Sequence, residues 1–188
     1  MRRASRWILL AGVLALAATA HAGKVVLSNA EVGYIGSPEP RYEGRYLIRF
    51  ELPELLSRCT VELAILEVRA PVTCPEGTGG VAVDVFPLTR EWDAATADWS
   101  EGWSTPGGDF DMSLHGGWGA RPGESSLMRF DVTDMVAAWT SGKLRNCGLL
   151  VTAEPGEPGV LGVSGSRGTE PGAPVLKVYY TGGEVRER

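Results

Sequence analysis

Between Leu127 and Ala153 the hydrophobic period of the chain changes twice, and those changes predict a strand, a short helix and a second strand. Met128, Phe130 and Val132 alternate with Leu127, Arg129 and Asp131, as in a strand with one buried face. From there Val132, Met135, Val136 and Trp139 fall at i, i+3, i+4 and i+7, which lines one side of a helix with apolar groups. Asp131 or Thr133 can offer an oxygen to the first-turn amides, and Gly142 can take the left-handed conformation that ends a helix. Leu149 to Val151 is a β-rich run that returns into the core.

Elsewhere the period is two. Lys24 to Leu27 and Gly33 to Ile35 predict short strands. In Arg45 to Leu52, Tyr46, Ile48, Phe50 and Leu52 make one face, and Arg45, Arg49 and Glu51 make most of the other. Thr60 to Val68 is apolar on both faces apart from Glu62 and Glu67, and Val81, Val83 and Val85 alternate with Ala82, Asp84 and Phe86. Thr89 to Ser126 has many Gly, Trp and Asp and no sustained period, which predicts a long excursion outside the core. Pro155 to Gly172 is rich in Gly and Pro and is interrupted by a short strand at Val160 to Val163. About eight strands, one short helix and no internal repeat predict an all-β, jelly-roll-like antiparallel sandwich.

Four segments resemble the DNRLRE-type β-sandwich domains, a secreted and cell-surface family that includes carbohydrate-binding modules of alginate-active enzymes. FDVTDMVAAWTSGKLRNCGLLV is similar to the family's "FDVT, helix, W, SG, N-x-G-L-x-L" segment. RYLIRFEL from Arg45, EWDAATADW from Glu91 and PVLKVYYT from Pro174 match further family pieces in the family's order. The likeness spans about Arg45 to Thr181. Glu51, Asp98 and Cys147 depart from the usual residues, the six letters of the family name do not occur, and the opening strands are shorter. The resemblance implies a β-sandwich and a carbohydrate ligand, and it places Trp92 and Trp99 in the framework.

The first 22 residues predict a signal peptide: Arg2, Arg3 and Arg6, then an apolar run from Trp7 to Ala18, then Ala20-His21-Ala22 as a cleavage signal. The run falls short of the ~20 residues a membrane helix needs. Residues 23–188 are then one domain, secreted, periplasmic or at the cell surface, with no membrane insertion after cleavage. Removing residues 1–22 leaves 15 basic and 23 acidic residues, a net charge of −8. This argues against nucleic acid, which needs clustered Lys and Arg. Cys59, Cys74 and Cys147 are odd in number, so at most one disulfide forms within a chain and its partners stay open.

After the leader, His115 is the only histidine, and no nucleophile-elbow or zinc motif accompanies it, so no catalysis is expected. Carbohydrate binding is better motivated, because sugars stack apolar C–H faces on aromatic plates beside polar groups. The excursion supplies Trp103 and Trp118 as plates, with His115 and Arg121 as polar partners. Trp92, Trp99 and Trp139 are assigned to the core. The expected partner is a polysaccharide, or a cell-surface or matrix component if the module is structural or adhesive. No cofactor is expected. Asp109 and Asp111 are a fragment of a structural calcium site, short of the 6 to 8 oxygens that ion takes.

Overall fold

The period-two segments build two antiparallel sheets. The computed structural model describes residues 22–38, 44–73, 81–120, 125–153, 160–161 and 172–182. The strands are β1 (Ala22–Leu27), β2 (Glu31–Ile35), β3 (Arg45–Arg49), β4 (Cys59–Thr73), β5 (Val81–Pro87), β6 (Gly116–Ala120), β7 (Ser125–Asp131), β8 (Leu149–Ala153), β9 (Val160–Leu161) and β10 (Val175–Gly182). The first sheet runs β1-β10-β4-β7, and β9 pairs with the far end of β4; the second runs β2-β3-β8-β5-β6. Leaving aside β2 and β9, four strands in the order 1-10-4-7 face four in the order 3-8-5-6, which is jelly-roll connectivity.

Alternation decides what lies between the sheets. Ala64, Leu66, Val68, Met128, Phe130, Leu176 and Val178 from the first sheet meet Ile48, Val83, Val85, Leu149 and Val151 from the second. All are buried, and each large aliphatic or aromatic side chain so buried contributes roughly 1.5–3 kcal/mol. The helix α1 (Thr133–Thr140) adds Met135, Val136 and Trp139 to this core. Its start is tied down twice. Asp131 Oδ1 accepts bonds from the Thr133 amide and hydroxyl, while the Ala64 amide of β4 donates to Thr133 Oγ1 at 2.9 Å. Gly142 ends the helix with φ of 74°.

Two departures from the expected pattern fall before and along β4. A 3-10 helix occupies Glu54–Arg58, where Pro53 precedes a run without strand alternation. β4 is also longer than its apolar core suggests, 15 residues, or about 45 Å at ~3.3 Å per residue. Its extension sets Cys59 and the residue before Cys74 at opposite ends, against the ~7 Å that a disulfide tolerates. Cys59 and Cys147 are both free thiols, so no disulfide forms among the described residues; Cys74 lies outside them. Most of the leader, residues 1–21, also lies outside.

Candidate functional site

The excursion after β5 is a third layer. A second apolar cluster, separate from the core between the sheets, contains Ile35, Leu47, Leu88, Trp92, Cys147 and Leu150, with Phe86, Ala97, Trp99, Trp103 and Phe110 packed against it. Leu47 and Leu150 point away from the main core on β3 and β8, so the excursion covers the outer face of the second sheet. This explains why Leu149 to Thr152 are all buried. A strand covered on both sides carries a continuous apolar run.

Two arginines on the supposedly polar face of β3 anchor the layer. The Arg45 guanidinium lies 5.1 Å from the Trp99 ring centre and 5.3 Å from that of Phe110, and it donates to the Gly107 carbonyl. Burial pulls its pKa below the usual arginine value. Arg49 lies 5.1 Å from the Trp92 ring and bridges Glu31 and Glu91; Arg145 pairs with the other oxygen of Glu91 at 2.9 Å. Burial works against the Arg49 charge, and the Glu31 and Glu91 carboxylates outweigh it, so its pKa is raised. Stacking of this kind favours arginine over lysine. Trp92 closes the assembly with a 2.8 Å bond from its indole N–H to the Cys147 carbonyl.

The aspartates fold the layer on itself. Asp98 accepts from the Ser100 and Glu101 amides, and those bonds hold its carboxyl below the ordinary range. Asp109 accepts from the Ser104 and Thr105 amides and pairs with Arg90 at 3.1 Å. Burial pushes the Asp109 carboxyl up, but these partners outweigh it and its pKa is lowered. Asp111 takes the Ser113 amide in a local turn, and bonding to Ser113 lowers its pKa as well. Asp109 and Asp111 thus serve different turns. Among the described residues no three His, Cys, Asp or Glu side chains converge as a metal site would require.

The sugar-site candidates separate in space. Trp103 is half-buried, rests on the second apolar cluster and donates its indole N–H to the Asp98 carbonyl at 2.8 Å. It walls an open depression of about 430 Å³ together with Glu91, Asp93, Thr96, Ala97 and Glu101. His115 is exposed, lies against Phe86 with ring centres 6.2 Å apart, and lines a different groove with Glu62, Asp131 and Asp134. The backbone of Trp118 belongs to β6, opposite Val83, but its side chain lies outside the described residues, as does Arg121. Trp92 and Trp139 are buried and Trp99 is half-buried.

A larger groove, about 650 Å³, opens between the segment that follows β3 and the end of α1, beside Asn29, Glu51, Asn146 and Trp139. The Trp139 indole N–H has no hydrogen-bond partner among the described residues, but it is also closed to solvent, so it offers nothing to a ligand in that groove. Sequence reasoning missed Arg45 and Arg49 as anchors of the aromatic layer, although Leu47 between them was a signal that their face is covered. No family model and no curated protein matches this chain.

Proposed function

We propose that this protein is a non-catalytic, exported carbohydrate-binding module of the DNRLRE type, taking a polysaccharide on its third layer. The observation that carries the reading is the Trp103 indole, half-exposed at an open depression beside Glu91, Asp93 and Glu101. A partly exposed indole offers an apolar plate to a sugar ring, and carboxylate oxygens accept bonds from its hydroxyls. The four family-like segments and the jelly-roll strand order support the assignment. Fold by itself is weak support for function. The depression is lined by carboxylates, which favours a neutral glycan over a uronate-rich one. No metal enters the reading, since Asp109 and Asp111 are engaged by Ser104, Thr105, Arg90 and Ser113.

Affinity electrophoresis through gels containing neutral or acidic polysaccharides tests it. Retardation by a neutral glycan is expected, with Trp103→Ala weakening binding by about tenfold or more, the size of one lost stacking contact. Trp118→Ala tests the second plate in the same gels. No retardation by any polysaccharide contradicts the reading and leaves the structural or adhesive alternative. That alternative has its own observation, the outer face of the first sheet, which no described residue covers.

A further inference from the structure

The two outer faces of the sandwich are unlike. The second sheet is covered by the third layer, whereas no described residue covers the outer face of the first sheet. Register places its outward residues in rows: Val26, Lys177, Ile65 and Asp131 lie side by side across β1, β10, β4 and β7, and Lys24, Tyr179 and Leu63 form the next row. Val26 is 51% exposed, Leu63 38% and Tyr179 37%. An antiparallel sheet can turn one face to water, but that face is ordinarily polar.

Its charges also differ from those of the rest of the chain. Lys24, Arg69, Arg129 and Lys177 stand on this face with Glu62, Glu67 and Asp131. Glu67 is taken by two of the cations, Arg129 at 3.0 Å and Lys177 at 2.7 Å. Lys24 sits 5.2 Å from the Tyr179 ring centre, and neither it nor Arg69 has a carboxylate partner among the described residues. This face carries four cations against three carboxylates, an excess of one positive charge, on a chain whose net charge is −5.

On the opposite side of the molecule, residues 89–111 carry Glu91, Asp93, Asp98, Glu101, Asp109 and Asp111; Arg90 pairs with Asp109, and Arg49 and Arg145 pair with Glu91, which leaves the others without a cation among the described residues. Three of the five large apolar side chains exposed among the described residues, Val26, Leu63 and Tyr179, stand on the outer face of the first sheet.

We propose that copies of this chain stack face to back, the outer face of the first sheet of one against the acidic third layer of the next. The two surfaces are different and lie on opposite sides, so the contact is heterologous and does not close on itself; it grows into a chain of subunits. Charge complementarity selects the partner surface, and Val26, Leu63 and Tyr179 supply the apolar contact. The sheet face measures about 19 Å by about 27 Å from strand spacing and rise. That is below the ~800 Å² per partner of a stable specific interface, so the association is weak and salt-sensitive. The inference does not rest on Trp103 binding a glycan, and it is tested without one.

Sedimentation velocity over a concentration series decides it. The weight-average mass should rise with concentration in about 20 mM salt, pass the dimer without a plateau, and return to monomer in about 500 mM salt. Lys24→Glu/Arg69→Glu, which breaks no ion pair among the described residues, should weaken association roughly tenfold or more. Asp93→Lys/Glu101→Lys should do the same from the other surface. An equimolar mixture of the two double variants should associate again, because each reversed surface then meets a complementary one. A monomer at every concentration in low salt, a plateau at dimer, or a mixture that stays monomeric overturns the proposal.

Discussion

Trp92 and Trp139 are equally buried, yet their indole nitrogens are in opposite situations. Trp92 donates to the Cys147 carbonyl, while Trp139 has no partner among the described residues. A buried polar group left unpaired costs roughly 1–3 kcal/mol. Replacement by Phe removes similar apolar volume at both sites, but it breaks a bond at one and removes an orphan donor at the other. Urea unfolding should therefore show Trp92→Phe to be the more destabilising by about 1–2 kcal/mol; equal losses would contradict the bonding pattern. Cys147 gives a second residue-level test. Burial, and then the Glu91 carboxylate 3.7 Å from its sulfur, push its thiol pKa up, and the thiolate is the reactive form. Iodoacetamide at neutral pH should leave Cys147 unmodified in the native protein and label it after unfolding, read by peptide mass.

At the scale of elements, local pattern and long-range contact divide what could be read in advance. The helix at 133–140 was legible because its apolar period, the Asp131 oxygens and Gly142 all agree, and most strands were legible from alternation. β6 was not: Gly116-Gly117-Trp118-Gly119-Ala120 has neither alternation nor strand propensity. It is a strand because it pairs with β5, and it carries glycine at 116 because a side chain there would meet the Asp131 carbonyl at 2.7 Å. The third layer escaped for a related reason. Its residues have no period of their own, and what orders them is Leu47, Leu150, Arg45 and Arg49, which lie far away in sequence. Trp103, read from sequence as a candidate sugar plate, is half-buried in that layer; Asp109 and Asp111, read as a fragment of a calcium site, accept amides of its turns.

The layer also has an acid limit. Bonds to Asp98, Asp109 and Asp111 lower their folded pKa values. Their stabilisation is present above the ordinary carboxylate pKa and is lost as pH falls through the lowered values. Tryptophan emission and near-ultraviolet circular dichroism should change below about pH 4, before the far-ultraviolet signal of the sheets. Simultaneous loss would contradict a layer that opens separately. Gly108 tests the same element without acid. It has φ of 107°, and a Cβ there would lie 3.0 Å from Leu150. Gly108→Ala should loosen the layer at a cost of about 1–3 kcal/mol, with the β1 and β10 amides unaffected in hydrogen exchange.

As a whole molecule, the protein is a jelly roll made asymmetric by one long connection: among the described residues its second sheet is covered on both faces and its first on only one. Both the glycan reading and the stacking inference follow from that asymmetry, because each assigns a task to a surface it creates. The most direct test of it is native-state hydrogen exchange across residues 88–111. The amides of Leu88, Thr89, Gly107 and Asp111 donate to Gly148, Asp109, Trp99 and Pro87 carbonyls. All four should be strongly protected and should exchange as one cooperative unit at a free energy below that of the β4 and β10 amides. Exchange at the rate of an unstructured chain would show that no third layer exists, and both surfaces would have to be reassigned.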